Sequence, residues 1–185
     1  VEDLVQILDT DIDTDQLWQE IADLIDRFPL HDQNQISLTS VGGNNDWDCS
    51  TGRLSDLPNP ERFYSTVNRA LEGTLVEEYI KRHKKFYRWR LLRLQPRRTY
   101  SVHTDNLTPN TVNMRLHIPV VTNPQCYMCF FEDAIQSGVT QPVRFEHLAL
   151  GNSYITNTTG LHTAVNYGLE DRYHIVGVRY EKNTQ

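Results

Sequence analysis

The chain has 185 residues, a formal net charge of −6, and 38% hydrophobic against 23% charged residues. That length fits one domain, 1–185, with a substantial core, and two full domains are not expected. No apolar run approaches the roughly 18 residues of a membrane span, and the acidic balance argues against nucleic-acid binding by the whole surface. A soluble globular protein is therefore expected.

The start, VEDLVQILDTDIDTD, lacks the basic-then-apolar pattern of a secretion signal, so a cytoplasmic location is expected. Three cysteines, Cys49, Cys126 and Cys129, are an odd count for a disulfide framework and fit reduced thiols. Cys126 and Cys129 form C-x-x-C in a β-like run, where an offset of three puts them on opposite faces. A zinc or redox pair is not expected there.

Residues 13–28, DTDQLWQEIADLIDRF, predict an amphipathic helix: Leu17, Ile21, Leu24, Ile25 and Phe28 recur at helical spacing, Asp13 or Thr14 can cap it, and Pro29 ends it. A β-like piece follows at 35–41. The loop GGNNDWDCSTGR at 42–53 is rich in turn residues, and is either a lid carrying Trp47 or a surface connection. Residues 60–71, PERFYSTVNRAL, predict a helix with Pro60 in its first turn and Phe63, Val67 and Leu71 on one side; a second covers 74–84. From Phe86 onward, short β-like runs separated by turn residues predict a barrel or sandwich over 86–180, behind a helical part at 1–85 that holds one strand.

Charge is uneven along the chain. The segment 81–98, KRHKKFYRWRLLRLQPRR, holds nine of the 18 basic residues, while the first 30 residues hold nine acids and one base, Arg27. These regions are expected to be solvated or to face one another, with a site for an acidic partner as the other reading.

Chemistry-bearing residues fall into pairs along the β-like runs. In 100-YSVHTDN-106 a strand would turn His103 and Asp105 to one face and Tyr100, Val102 and Thr104 to the other. In 112-VNMRLHIPVV-121 the apolar face of Val112, Met114, Leu116, Ile118 and Val120 leaves Arg115 and His117 together opposite. Arg172 shares a face with His174, and His162 with Ala164 and Asn166. A lone buried histidine is usually a hydrogen-bonded structural residue. His-x-Asp, a distant histidine and an arginine ten residues beyond it together suggest the facial two-His-one-carboxylate arrangement of non-haem Fe(II) oxygenases, with a cationic clamp for a carboxylate.

The segments HTD at 103–105, RLHIPV at 115–120, LGNSYITNTTGLH at 150–162, and Arg172 ten residues after His162 resemble the aspartyl/asparaginyl β-hydroxylase family of 2-oxoglutarate-dependent oxygenases. The resemblance spans roughly 86–180. It implies an α+β, mainly β fold: a double-stranded β-helix, or cupin-like jelly roll, with N-terminal helices. It implies His103, Asp105 and His162 as Fe(II) ligands, Arg172 as partner of the 2-oxoglutarate distal carboxylate, and Arg115 and His117 as further cosubstrate contacts. Asp105 stands where the animal aspartyl β-hydroxylases have glycine, so members related to the free-proline hydroxylases, which keep His-x-Asp, are the closer comparison.

The implied reaction consumes O2 and 2-oxoglutarate and hydroxylates an amino acid or a peptide side chain. A zinc-dependent hydrolase and a non-catalytic β-barrel binding module remain alternatives. Substrate identity and oligomeric state are left open.

Overall fold

Helix α1 (Thr14–Arg27) forms where the apolar spacing predicts it, and Asp13 caps it by accepting a hydrogen bond from the Gln16 N–H at 3.0 Å. The computed structural model describes residues 4–28, 30, 34–105, 111–131 and 142–182. Pro29, expected to end α1, lies outside the described residues. Leu17, Ile21 and Leu24 are fully buried along one stripe of the helix. Helix α2 (Leu75–Arg82) follows the second predicted stretch, and its free N-terminal N–H groups at Leu75 and Val76 donate to the Glu20 carboxylate of α1 at 2.9 and 3.0 Å. An acid placed on those donors links the two helices and offsets the α2 dipole.

The strands are β1 (Val5–Asp9), β2 (Gln35–Ser37), β3 (Thr39–Ser40), β4 (Thr66–Val67), β5 (Tyr87–Leu94), β6 (Arg98–Thr99), β7 (Thr111–Val121), β8 (Cys126–Phe131), β9 (Pro142–Glu146), β10 (Ser153–Asn157), β11 (His162–Asn166) and β12 (Arg172–Lys182). They form a six-stranded sheet, β1-β10-β7-β12-β5-β2, and a four-stranded sheet, β6-β11-β8-β9, with β3 and β4 as a separate pair. Every pairing is antiparallel. This is the expected mainly β architecture with few helices, the double-stranded β-helix. Strands β1 and β2 extend the large sheet with residues from before position 86.

Alternation divides the large sheet into two chemically different faces. Leu116, Ile118 and Val120 of β7, Tyr173 and Ile175 of β12, Trp89 and Leu91 of β5 and Ile36 of β2 pack against α1 and α2 in one buried cluster. The intervening residues turn to the other face, toward the small sheet, where Leu94 and Tyr154 meet Met128, Phe130 and Ala164. Gly177 lets Trp89 lie flat on the outer face: a Cβ there would stand 2.8 Å from the indole ring.

The helix predicted over 60–71 is replaced by two 3-10 turns, Glu61–Phe63 and Arg69–Leu71, on either side of β4. Tertiary bonds outcompete the local ones. The Tyr64 carbonyl accepts from Thr39 Oγ1 (2.7 Å) and the Arg88 N–H (2.7 Å), and the Asn68 N–H donates to the Leu38 carbonyl (3.1 Å). Phe63, read as part of the apolar side, is 48% exposed.

The 42–53 loop is tied down at both ends of its course. Trp47 stacks on Phe28 with ring centroids 4.4 Å apart and joins the helix-side cluster, on the other side of the sheet from Arg115. Trp47 is thus a packing residue and not a lid over the residue pairs singled out above. Trp47→Ala is expected to cost about 2 kcal/mol of stability, below the roughly 3–5 kcal/mol of a fully buried aromatic truncation because the ring is half-buried, and to leave divalent-metal affinity unchanged. Chemical denaturation and metal titration of the same variant check both.

Candidate metal centre and its cationic interior

His103 and His162 face each other as an isolated antiparallel bridge: the His103 N–H donates to the His162 carbonyl at 3.0 Å, and the His162 N–H to that of His103 at 2.9 Å. The ladder brings the rings side by side, with centroids 4.4 Å apart. Asp105 is placed by its backbone. Its N–H donates to the Thr158 carbonyl at 3.2 Å, and its own carbonyl accepts from Asn113 Nδ2 at 2.8 Å. The carboxylate then sits between the rings, 3.7 Å from His103 Nε2 and 3.7 Å from His162 Nε2. One ligand atom from each residue lies within 4.8 Å of the others.

Both rings are oriented by their second nitrogen. His103 Nδ1 lies 2.7 Å from the Ser101 carbonyl and His162 Nδ1 lies 3.0 Å from the Gly160 carbonyl. A carbonyl can only accept, so Nδ1 carries the proton and Nε2 turns its lone pair toward Asp105. Two imidazole lone pairs and one carboxylate converging in this way suit a divalent metal with mixed nitrogen and oxygen ligands. The His162 side chain is 5% exposed and that of His103 is 43% exposed, so the cluster opens to solvent on the His103 side.

The route to this geometry is not the regular strand expected from Tyr100 through Asp105. Only Arg98–Thr99 pair as β6, and the register slips between Thr99↔Val165 and His103↔His162. The slip turns Tyr100 inward as well: it packs with Leu94, Met128 and Tyr154 instead of facing away from His103. Val102 and Thr104 remain exposed.

Behind the cluster the interior is lined by cations. Arg115 Nη2 lies 3.0 Å from Asp105 Oδ2. Burial alone would raise the Asp105 carboxyl, but Arg115 above all, then His162, Thr158 and His103, outweigh it and hold Asp105 at about 2. Arg115 is buried at the cost of desolvation, and Asp105 and Glu61 keep it firmly charged. Glu61 in turn takes Arg88 Nη1 at 2.5 Å and the Tyr180 hydroxyl, whose ring lies against the Arg115 guanidinium. Arg88 completes its shell on the Ser50 and Gly52 carbonyls, 2.9 Å each. The second half of the 42–53 loop therefore borders the interior, although Trp47 does not.

His117, Arg172 and His174 form a second buried group. Arg172 Nε stands 2.9 Å from His174 Nε2, and His174 Nδ1 stands 3.5 Å from His117 Nδ1. Burial first, and the Arg172 charge second, keep both imidazoles neutral, well below their ordinary range. A neutral ring has one donor and one acceptor. Arg172 Nη2 also stands 2.8 Å from His174 Nδ1, so both nitrogens of that ring face the guanidinium, while His117 meets His174 through Nδ1 and leaves Nε2 outside the group. That atom is buried without a hydrogen-bond partner among the described residues. Arg115 Nη1 is in the same position.

All six residues singled out in the sequence, His103, Asp105, His162, Arg115, His117 and Arg172, thus border one interior. The sequence reading gave no site role to Glu61, Arg88, Arg90 or His174, and it turned Tyr100 to the opposite face. In β5 the signal was the alternation of Trp89 and Leu91 with Arg88 and Arg90. The basic segment is not one patch. Lys81 and Arg82 pair with Glu77 and Glu78 on the surface of α2, whereas Arg88 and Arg90 are 1% and 7% exposed inside the barrel.

No family model and no curated protein matches the chain. Among solved structures, AviO1 from Streptomyces viridochromogenes Tue57 aligns over 97% of this chain and 90% of its own, with a TM-score of 0.53 and 13% identity. A prolyl-4-hydroxylase from Pseudomonas putida aligns over 95% and 85%, with a TM-score of 0.46 and 11% identity. A 2OG-Fe(II) oxygenase family oxidoreductase from Burkholderia pseudomallei aligns over 52% of this chain and 42% of its own, with a TM-score of 0.42 and 14% identity. The chain spans less than half the length of that oxidoreductase. At these identities the likeness is one of fold.

The class is therefore that of double-stranded β-helix proteins, here with a candidate His-Asp-His metal centre in the interior. Among the described residues, no helix is long and apolar enough to cross a membrane.

Proposed function

We propose that the chain is, as a single unit over 1–185, an Fe(II)- and 2-oxoglutarate-dependent dioxygenase that hydroxylates an amino acid or an amino-acid side chain. The observation that carries this reading is the convergence of His103 Nε2, Asp105 and His162 Nε2 in front of a buried cationic interior. Those three residues would hold the iron. Iron bound there would couple the oxidative decarboxylation of 2-oxoglutarate by O2, giving succinate and carbon dioxide, to hydroxylation of a substrate C–H bond.

The remaining steps belong to the chain's own groups. The Ser101 and Gly160 carbonyls hold the two imidazoles in the tautomer that leaves Nε2 free. Asn113 and Thr158 hold the Asp105 backbone, and Arg115 keeps its carboxylate ionised. Arg172, buried and without a carboxylate within salt-bridge distance among the described residues, would clamp the distal carboxylate of 2-oxoglutarate; Arg115 Nη1 and His117 Nε2, both buried without a partner among the described residues, would meet its other end. Burial excludes water, so these charge-assisted bonds act at low dielectric and orient the cosubstrate before substrate arrives.

A zinc hydrolase uses the same three ligand types but has no need of Arg172, His174 and His117 as an acceptor-seeking floor. The test is a panel of free amino acids and Asp- or Asn-containing peptides, assayed with 2-oxoglutarate and either Fe(II) or Zn(II). Succinate together with a one-oxygen mass gain, with Fe(II) only, is expected. Hydrolysis with Zn(II) and no succinate with Fe(II) would transfer the chain to the hydrolases.

A further inference from the structure

The barrel interior holds more positive charge than its own acids compensate. Four arginines, Arg88, Arg90, Arg115 and Arg172, are buried on it, each less than a tenth exposed. Arg88 is paired with Glu61 and Arg115 with Asp105. Among the described residues no carboxylate lies within salt-bridge distance of Arg90 or Arg172. The proposed cosubstrate meets one of these two needs, at Arg172, and its second carboxylate falls to Arg115 and His117. Arg90 remains without an anion.

The surroundings of Arg90 are built to hold the charge and not to neutralise it. Nη1 donates to Gln35 Oε1 at 2.9 Å, and that same oxygen takes the Gly52 N–H at 3.3 Å, so the side chain is fixed by a neutral acceptor. Nε is buried with no hydrogen-bond partner among the described residues. Burial first, then Arg88 and Arg115, push Arg90 down to about 9, which leaves it charged at neutral pH. An uncompensated buried cation with an unmade hydrogen bond is costly, and such a group persists where a ligand completes it.

Its position is beside the reaction site. Arg90 and His117 both pair with Val176, one from each side of β12, so they share the inner face two strand spacings apart, about 10 Å. The Asp105 charge acts on Arg90 as well. Strand β2, which carries Gln35, is the terminal strand of the sheet. Arg90 therefore flanks the site on the side away from β7.

We infer that Arg90 is the anchor for an acidic group of the primary substrate, so that the substrate class is a small carboxylic acid, such as an amino acid held by its α-carboxylate, bound alongside 2-oxoglutarate. This rests on the hydroxylase reading for the identity of the cosubstrate, but not for the anion site itself. An anion with a planar pair of oxygens matches the free Nε edge of a guanidinium fixed on its other side. A neutral substrate would leave the charge unmet.

The test uses the full chain loaded with Zn(II), which blocks turnover, and compares propionate with propionamide by calorimetric titration and thermal melting, with and without saturating 2-oxoglutarate. Wild type is expected to bind propionate at least tenfold more tightly than propionamide. Arg90→Met and Arg90→Gln are expected to lose that preference, to keep 2-oxoglutarate affinity within twofold, and, without ligand, to melt no lower than wild type, because each removes an uncompensated charge.

Equal affinities for propionate and propionamide in wild type, propionate binding unchanged in the variants, or weakened 2-oxoglutarate binding in Arg90→Gln each overturns the proposal. Failure of both variants and of Arg90→Lys to fold would make Arg90 a structural cation and overturn it too. If 2-oxoglutarate does not bind wild type but propionate binding still depends on Arg90, the hydroxylase reading falls and the anion site stands.

Discussion

Asp105→Ala is expected to lose divalent-metal affinity by at least about 100-fold and to destabilise the metal-free protein by about 3–5 kcal/mol. The two losses have different causes. The first is removal of the one anionic ligand between two neutral imidazoles. The second arises because Arg115, 6% exposed and 3.0 Å from Asp105, is left buried with its charge unmet. Asp105→Asn separates them: an amide oxygen can still accept from Arg115, so the stability loss should be smaller, while metal affinity should fall nearly as far. Metal titration and denaturation in the presence of a chelator read the two effects independently. Wild-type metal affinity in Asp105→Ala would remove Asp105 from the site and with it the basis of the proposed chemistry.

Arg172→Ala is expected to weaken 2-oxoglutarate binding to the metal-loaded protein by about 30-fold or more, from the roughly 2–5 kcal/mol lost on truncating one side of a buried charge pair. Arg172→Lys should recover little of this. A lysine keeps the charge but not the planar fork, and it cannot lie against His174 as the guanidinium does at 2.8–2.9 Å. Metal affinity should be unchanged in both, since Arg172 touches none of the three ligands. Calorimetry with Zn(II)-loaded protein checks this, and unaltered 2-oxoglutarate affinity in Arg172→Ala would remove the residue from the cosubstrate site.

The residues that proved easiest to read were those in long strands with a clean period of two. In β7, Leu116, Ile118 and Val120 mark the helix-side face without ambiguity, so Arg115 and His117 could be placed together on the opposite face from spacing alone. The helix α1 was equally plain from its apolar stripe and cap. The 60–71 segment was not, because its helical spacing competed with hydrogen bonds to Thr39, Leu38 and Arg88, which lie 20 or more residues away and leave no local trace. Trp47 was open between lid and surface connection, and proved to be neither, for the same reason: only the position of Phe28 decides which face it joins.

Chain order and residue type by themselves determined the mainly β class, the two helices, and a set of imidazoles, one aspartate and two arginines on strands that could share an interior. That follows because alternation within a strand is a local property, set by the pleat. The tertiary structure alone decided that His103 sits opposite His162 after a slip in register, that Asp105 falls between them, and that Arg88 and Arg90 point inward and not to solvent. Strand partners and register depend on contacts between residues far apart in this chain, such as Ser153 with Asp9, 144 positions away. A basic run therefore reads as a surface feature until its neighbours across the sheet are known, and the same run can supply two buried cations to the site and two paired ones to a helix surface.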